Sequence, residues 1–373
     1  MQWNHAASER IPGAAPPAGM RTDVDLAPFT TLGIGGPARW FLTVDDVAAA
    51  RRALSWAAAE EVPLLVLGGG SNVVVADAGF PGLVLYVGLR GIEELPQGDE
   101  TLLRVGAGEP WDPFVARCVA AGLAGVECLS GIPGAVGATP IQNVGAYGQE
   151  VCETLVEVEA VDRRSGEGRS FSAAECRFGY RWSAFKGEER DRWLITAVTY
   201  RLRRGGEPAV RYPELERHLA AAQVEPGLQV VRDAVLALRR RKGMVLDADD
   251  PDTRSDGSFF TNPVLPPGRV EELLRRLERG GTPPQEVPRF PAEWGVKLSA
   301  GWLIERAGFR RGHRHGNVGL STKHALAITN RGGGTAAEVV ELARQIRDAV
   351  LERFAVRLEP EPSWVGFVDD PLA

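Results

Sequence analysis

Three glycine-rich turns limit what this chain can fold into: Gly33-Ile34-Gly35-Gly36-Pro37-Ala38, Leu67-Gly68-Gly69-Gly70-Ser71-Asn72 and Gly131-Ile132-Pro133-Gly134-Ala135-Val136-Gly137. Glycine lets backbone N–H groups come close to a ligand with no side chain in the way. The second turn follows Leu64-Leu65-Val66-Leu67, an apolar run behind Pro63 that reads as a buried strand. It lacks the Gly-Lys-Ser/Thr of a P-loop and the Gly-x-Gly-x-x-Gly dinucleotide fingerprint. Its N–H groups, with Ser71 and Asn72 as added donors, suit a phosphate, although a tight turn needs the same residues. Three such turns among short strands suggest a long pyrophosphate ligand held mostly by main chain.

At 373 residues the chain exceeds one ordinary core, which predicts two or three domains. Residues 1–20, rich in Ala, Pro and Gly, read as a disordered tail. Thr43-Val44-Asp45-Asp46 reads as a helix start with a hydroxyl cap, and the Ala-rich run continues that helix to Glu61. Val73–Ala76 and Leu83–Val87 read as short strands, and Pro110–Ala121 as a helix stopped by Gly122. Val156, Val158 and Ala160 alternate with acids as in a half-exposed strand, and Trp193–Leu202 is another. Val231–Arg241 is apolar-periodic and precedes an acidic loop. Thr335-Ala336-Ala337-Glu338 is a capping box that opens the last long helix, and the Pro-rich 358–362 segment should run extended. The pattern predicts an α+β fold.

A net charge of −6 argues against general nucleic-acid or membrane-surface binding. Arg239-Arg240-Arg241-Lys242 is the one dense basic run, either a charged helix end or an anion site. Four scattered cysteines give no zinc or redox spacing, and His313-Arg314-His315 lacks a third ligand, so no metal is expected. No secretory signal and no apolar run of roughly 20 residues is evident, which predicts a cytoplasmic location.

Gly257-Ser258-Phe259-Phe260-Thr261-Asn262-Pro263 places one hydroxyl between a glycine and two aromatic rings. Walled by Phe259 and Phe260 and given a polar partner, Ser258 can hold a proton beside a reacting carbon; a loop with core-filling rings has the same composition. In the aromatic, basic 175–186 segment Arg181 can clamp a carboxylate, or stack in a surface loop. Glu361, between two prolines, is either a solvated acid or a carboxylate held by rigid backbone.

In this order, these segments resemble the UDP-N-acetylenolpyruvoylglucosamine reductase family, from Thr30 to Gly366. Further marks are Gln142-Asn143-Val144-Gly145-Ala146-Tyr147-Gly148, Arg177-Phe178-Gly179-Tyr180-Arg181, Lys297-Leu298-Ser299-Ala300-Gly301-Trp302-Leu303-Ile304-Glu305 and Leu358-Glu359-Pro360-Glu361. The resemblance implies an FAD-binding fold of the vanillyl-alcohol-oxidase type in two subdomains, 21–88 and 89–210, the second joined by 356–373. It also implies a C-terminal α+β substrate-binding domain, 211–355. Carried over by position, Gly33, Gly35, Gly36, Gly68, Gly69, Gly70, Ser71, Asn72, Ser130, Gly131, Pro133, Gly134, Gly137, Ala138, Gln142, Asn143, Gly145 and Ala146 would hold FAD. Tyr180, Arg181, Tyr212, Lys242, Ser258, Phe259, Asn262 and Glu361 would meet substrate, with Arg181, Ser258 and Glu361 catalytic. Tyr212 is similar to a substrate-loop tyrosine of one subtype, whereas Lys323-His324-Ala325-Leu326 is closer to the other. The implied reaction takes UDP-N-acetylglucosamine enolpyruvate to UDP-N-acetylmuramate for peptidoglycan synthesis, with NADPH as hydride donor. Hydride leaves flavin N5 and the proton comes from Ser258. A flavin-dependent alcohol or sugar oxidase is the alternative on the same fold. The lack of any histidine between His5 and His218 disfavours a histidine-tethered flavin in that class.

Overall fold

The computed structural model describes residues 15–279, 281–292 and 294–373. Residues 1–14 of the expected tail lie outside them, and Met20, also assigned to that tail, packs against the main core.

The first sheet orders its strands 21–25, 37–44, 80–87 and 64–67, antiparallel at the first pair and parallel thereafter. Helix α1 (Val47–Ala59) connects two of them and buries Ala50, Ala53, Leu54, Trp56 and Ala57. Its cap is not Thr43, which pairs with Tyr86 inside the strand Pro37–Val44. Asp46 takes that place, accepting from the Ala49 N–H at 2.6 Å. Thr43 and Val44 are β-branched and continue the sheet, so the helix waits for the first acid free of it.

The second sheet is antiparallel, in the order 168–172, 155–162, 193–204, 100–106, 92–97. Its central strand, Trp193–Arg204, carries Tyr200 into an aromatic cluster with Trp111 and Phe114 of α2 (Trp111–Ala120). The two sheets share one apolar core. The expected stop after α2 is present, with Gly122 at φ +70°.

Among the described residues five more α-helices follow: α3 (Pro213–Ala222), α4 (Leu228–Arg241), α5 (Pro267–Arg279), α6 (Ala300–Arg306) and α7 (Ala336–Phe354). α4 begins three residues before its predicted start. α3 and α4 pack on each other and on Cys128 and Tyr147, and Arg232 of α4 grips Asp112 of α2 through two bonds of 2.6 and 3.0 Å. The other three helices, with two three-stranded sheets (264–265, 295–298, 289–292; 314–315, 318–320, 328–330), form a second core that includes Leu32, Ile34 and Val74. Both bonds of the predicted capping box of α7 are present, and Asp77 accepts from the Ala336 and Ala337 N–H groups, tying α7 to the first sheet region.

Residues 356–373, expected beside 89–210, have their strand Ser363–Val365 on Val73–Val75 instead, in parallel register. No described helix is long and apolar enough to cross a membrane.

Candidate active site

A cleft of about 1300 Å³ runs between these parts, larger than the ~300–1000 Å³ common for a single small ligand. Along one wall lie Gly68–Asn72, Pro133, Gly134, Gly137, Ala138, Gln142, Gly145 and Ala146, all expected to hold a cofactor. The two turns are fitted to each other. A Cβ on Gly69 would lie 2.5 Å from the Gly134 Cα, and Ser71 Oγ donates to the Pro133 carbonyl at 3.2 Å. Backbone N–H groups of residues 68–72 find no acceptor among the described residues. Such a run of unused donors along a cleft suits the pyrophosphate of a dinucleotide such as FAD.

Other cofactor candidates do different work. Gly33, Gly35 and Gly36 are not on the cleft: a Cβ on Gly36 would lie 2.1 Å from the Asp77 carbonyl oxygen, and one on Gly35 2.9 Å from the Val75 side chain. That turn lets two backbone segments pack together. Ser130, fully buried, donates to the Glu127 carbonyl, and Gly131 N–H is held by Asp112 at 2.6 Å. Asn143, also buried, donates to Glu150 Oε2 and to the Gly179 carbonyl, bracing the turn that carries Arg181.

At the far end the three expected catalytic groups line the same cleft. Segments 259–261 and 359–361 pair antiparallel: Glu361 N–H donates to the Phe259 carbonyl at 2.8 Å and Thr261 N–H to Glu359 at 3.0 Å. This pairing brings the Ser258 segment beside Glu361. Phe259 and Phe260 anchor it, each 1 % exposed and in edge contact at 5.2 Å. The Phe259 ring, expected to wall the serine and meet substrate, sits in the core and is not among the residues that line the cleft.

Arg181 reaches Glu361 with Nε 3.4 Å from Oε1, and its Nη2 donates to the Gly145 carbonyl at 2.8 Å. Asn72 links the cofactor turn to this end, donating to Gln142 Oε1 at 2.9 Å and to the Glu361 carbonyl at 3.2 Å. Tyr180, 42 % exposed, lies under the Lys297 ammonium at 4.8 Å. Asn262 spends its Oδ1 on the Ala300 N–H at the start of α6. Lys242 is held by Glu214 at 2.5 Å, over the Tyr147 ring, and Tyr212 meets that ring edge-on at 5.5 Å.

Of the cleft residues outside the predicted set, four are chemically notable. Arg239 is a half-buried member of the basic run; desolvation draws its pKa down to about 10, and its buried Nε has no partner among the described residues. Burial, with Lys242, Arg311 and Arg239 nearby, draws His324 down to about 4, so it is neutral at pH 7. Lys186 lies near Arg181. Asp256 is buried, takes a 3.3 Å bond from Thr31 Oγ1, and leaves Oδ2 unpartnered among the described residues. His324 and Lys186 lie in segments singled out in the sequence, but neither they nor Asp256 carry a sequence signal for a site role of their own.

Burial raises the pKa of Asp256 well above the usual carboxylate range. Its neutral form is the one the fold accepts, so its full stability is present below the unfolded pKa and lost as pH rises toward the folded one. Asp256→Asn should be more stable than the parent at pH 7–8, with a gap shrinking by up to about 1.4 kcal/mol per unit as pH falls toward 4. Denaturant melts across that range test this, and a pH-independent gap would refute it.

Comparison with known proteins agrees with this geometry. A model described as "FAD binding domain" matches residues 38–172, and one described as "UDP-N-acetylenolpyruvoylglucosamine reductase, C-terminal domain" matches 249–365. The UDP-N-acetylenolpyruvoylglucosamine reductase of Thermobifida fusca is 51% identical over 92% of this chain and 97% of its own length. That of Saccharopolyspora erythraea is 50% identical, over 95% and 96%. The crystal structure of the reductase from Thermus caldophilus superposes with a TM-score of 0.62 at 27% identity, covering 93% of this chain and 99% of that one. Fold, cleft and matched domain define an FAD-dependent oxidoreductase with an α+β architecture. The chain belongs to the UDP-N-acetylenolpyruvoylglucosamine reductase family.

Proposed function

We propose that this protein reduces the enolpyruvyl ether of UDP-N-acetylglucosamine enolpyruvate to UDP-N-acetylmuramate, with NADPH as hydride donor, as a cytoplasmic step of peptidoglycan precursor synthesis. The observation carrying this reading is the Arg181–Glu361 contact in a cleft that Ser258, next to the segment paired with Glu361, also lines, and whose other wall is glycine-rich main chain. FAD, when bound, supplies the hydride through its N5. The residues do the rest. Negative charge grows toward the substrate carboxylate as its double bond is reduced, and Arg181 provides a cation already in place. The 3.4 Å contact supports Glu361 as the group that orients this guanidinium. Ser258 gives a proton to the carbon next to the carboxylate. Lys242, Tyr212 and the half-buried Arg239 offer a cationic, aromatic lining suited to the sugar nucleotide. Flavin-loaded protein should consume NADPH rapidly only when the enolpyruvyl substrate is added. Consumption driven equally well by oxygen alone would move the protein to the oxidase class.

A further inference from the structure

We infer that Lys186 is a positioning residue for Arg181 and Glu361, holding guanidinium and carboxyl at the reacting end of the cleft. The inference deepens the proposed reaction and rests on it.

Arg181 has φ +54°, the left-handed region, at the third position of a four-residue turn in which Gly179 and Trp182 exchange N–H···O bonds of 3.0 and 3.1 Å. Such a position favours glycine, so a side chain there needs support from outside the turn. Lys186 provides it: its Nζ donates to the Arg181 carbonyl at 3.4 Å. The ammonium lines the cleft, is partly buried, and has no carboxylate within ion-pair distance among the described residues. A partly desolvated cation without a close counter-ion is unfavourable for the fold alone. Three charged groups face it: Glu361, which favours the ammonium, and Arg181 and Arg190, which disfavour it; burial is the largest influence and lowers the pKa. Glu361 thus sits near two cations. The surplus positive charge is what an incoming carboxylate requires, and Lys186 prevents Glu361 from neutralising Arg181 entirely.

Reoxidation of reduced flavin by the enolpyruvyl substrate, recorded across alkaline pH, tests this in the flavin-loaded protein. Lys186→Met should retain its flavin, reoxidise about 10²-fold more slowly, and lose the alkaline fall that deprotonation of Lys186 gives the parent. Lys186→Arg should restore most of the rate and move that fall to higher pH, because a guanidinium stays charged. An unchanged rate in Lys186→Met, or equal losses in both variants with an unaltered pH profile, would overturn the assignment. Should Lys186→Met not fold, an alkaline fall in Lys186→Arg at the parent's pH would overturn it too. A parent protein that never reoxidises with this substrate points instead to failure of the proposed reaction.

Discussion

Ser258→Ala protein should still be bleached by NADPH, yet its flavin should reoxidise ~10²–10⁴-fold more slowly with the enolpyruvyl substrate, the usual worth of a positioned general acid. The substitution removes one oxygen from a half-buried position and leaves the anchors untouched: Phe259 and Phe260 remain in the core, and the Phe259–Glu361 and Thr261–Glu359 backbone bonds involve no serine atom. Fold and flavin content should therefore match the parent. Stopped-flow absorbance separates the two half-reactions. Reoxidation at the parent's rate would remove Ser258 from the proton-transfer step.

The second large effect lies at the other end of the cleft. Gly69→Ala should abolish tight flavin binding, weakening it by at least ~10²-fold, because the new methyl would lie 2.5 Å from the Gly134 Cα and 2.8 Å from its carbonyl carbon. Both obstacles are backbone, so relief requires parting two turns joined by the Ser71–Pro133 hydrogen bond. Overpacking of this kind costs ~1–3 kcal/mol, and the displaced N–H groups no longer aim together. Gly268→Ala in α5, where an added Cβ meets nothing within 4 Å, is the control and should bind flavin normally. Fluorescence titration of apo-protein with FAD measures both. Parent-like affinity in Gly69→Ala would show that the two turns do not define the cofactor wall.

Much of the fold is legible wherever the physics is short-range. The capping box of α7, the stop at Gly122 and the strand before Gly68 depend on residues within a few positions of one another. A further signal for α5 lies in Val270, Leu273 and Leu277, spaced for one helix face behind Pro267, and all three are buried. Thr43 illustrates the limit. A hydroxyl before two acids satisfies a helix cap locally, but its strand partner Tyr86 lies far along the chain. The same limit separates the glycine turns. All three have the composition of a ligand loop, and only their neighbours assign the 33–36 turn to Asp77 and Val75 and the other two to the cleft.

The sequence alone determined which residue types could do the chemistry and which short segments would bend, extend or coil, because those preferences reside in φ, ψ and nearby side chains. Tertiary structure decided their use. The Ser258 segment reaches the Glu361 segment through strand pairing across about a hundred residues, Arg181 arrives on a left-handed turn, and Asp256 and Lys186 become unusual only once the fold removes them from bulk water. Desolvation and long-range pairing are properties of the assembled core, and no local window of sequence contains them.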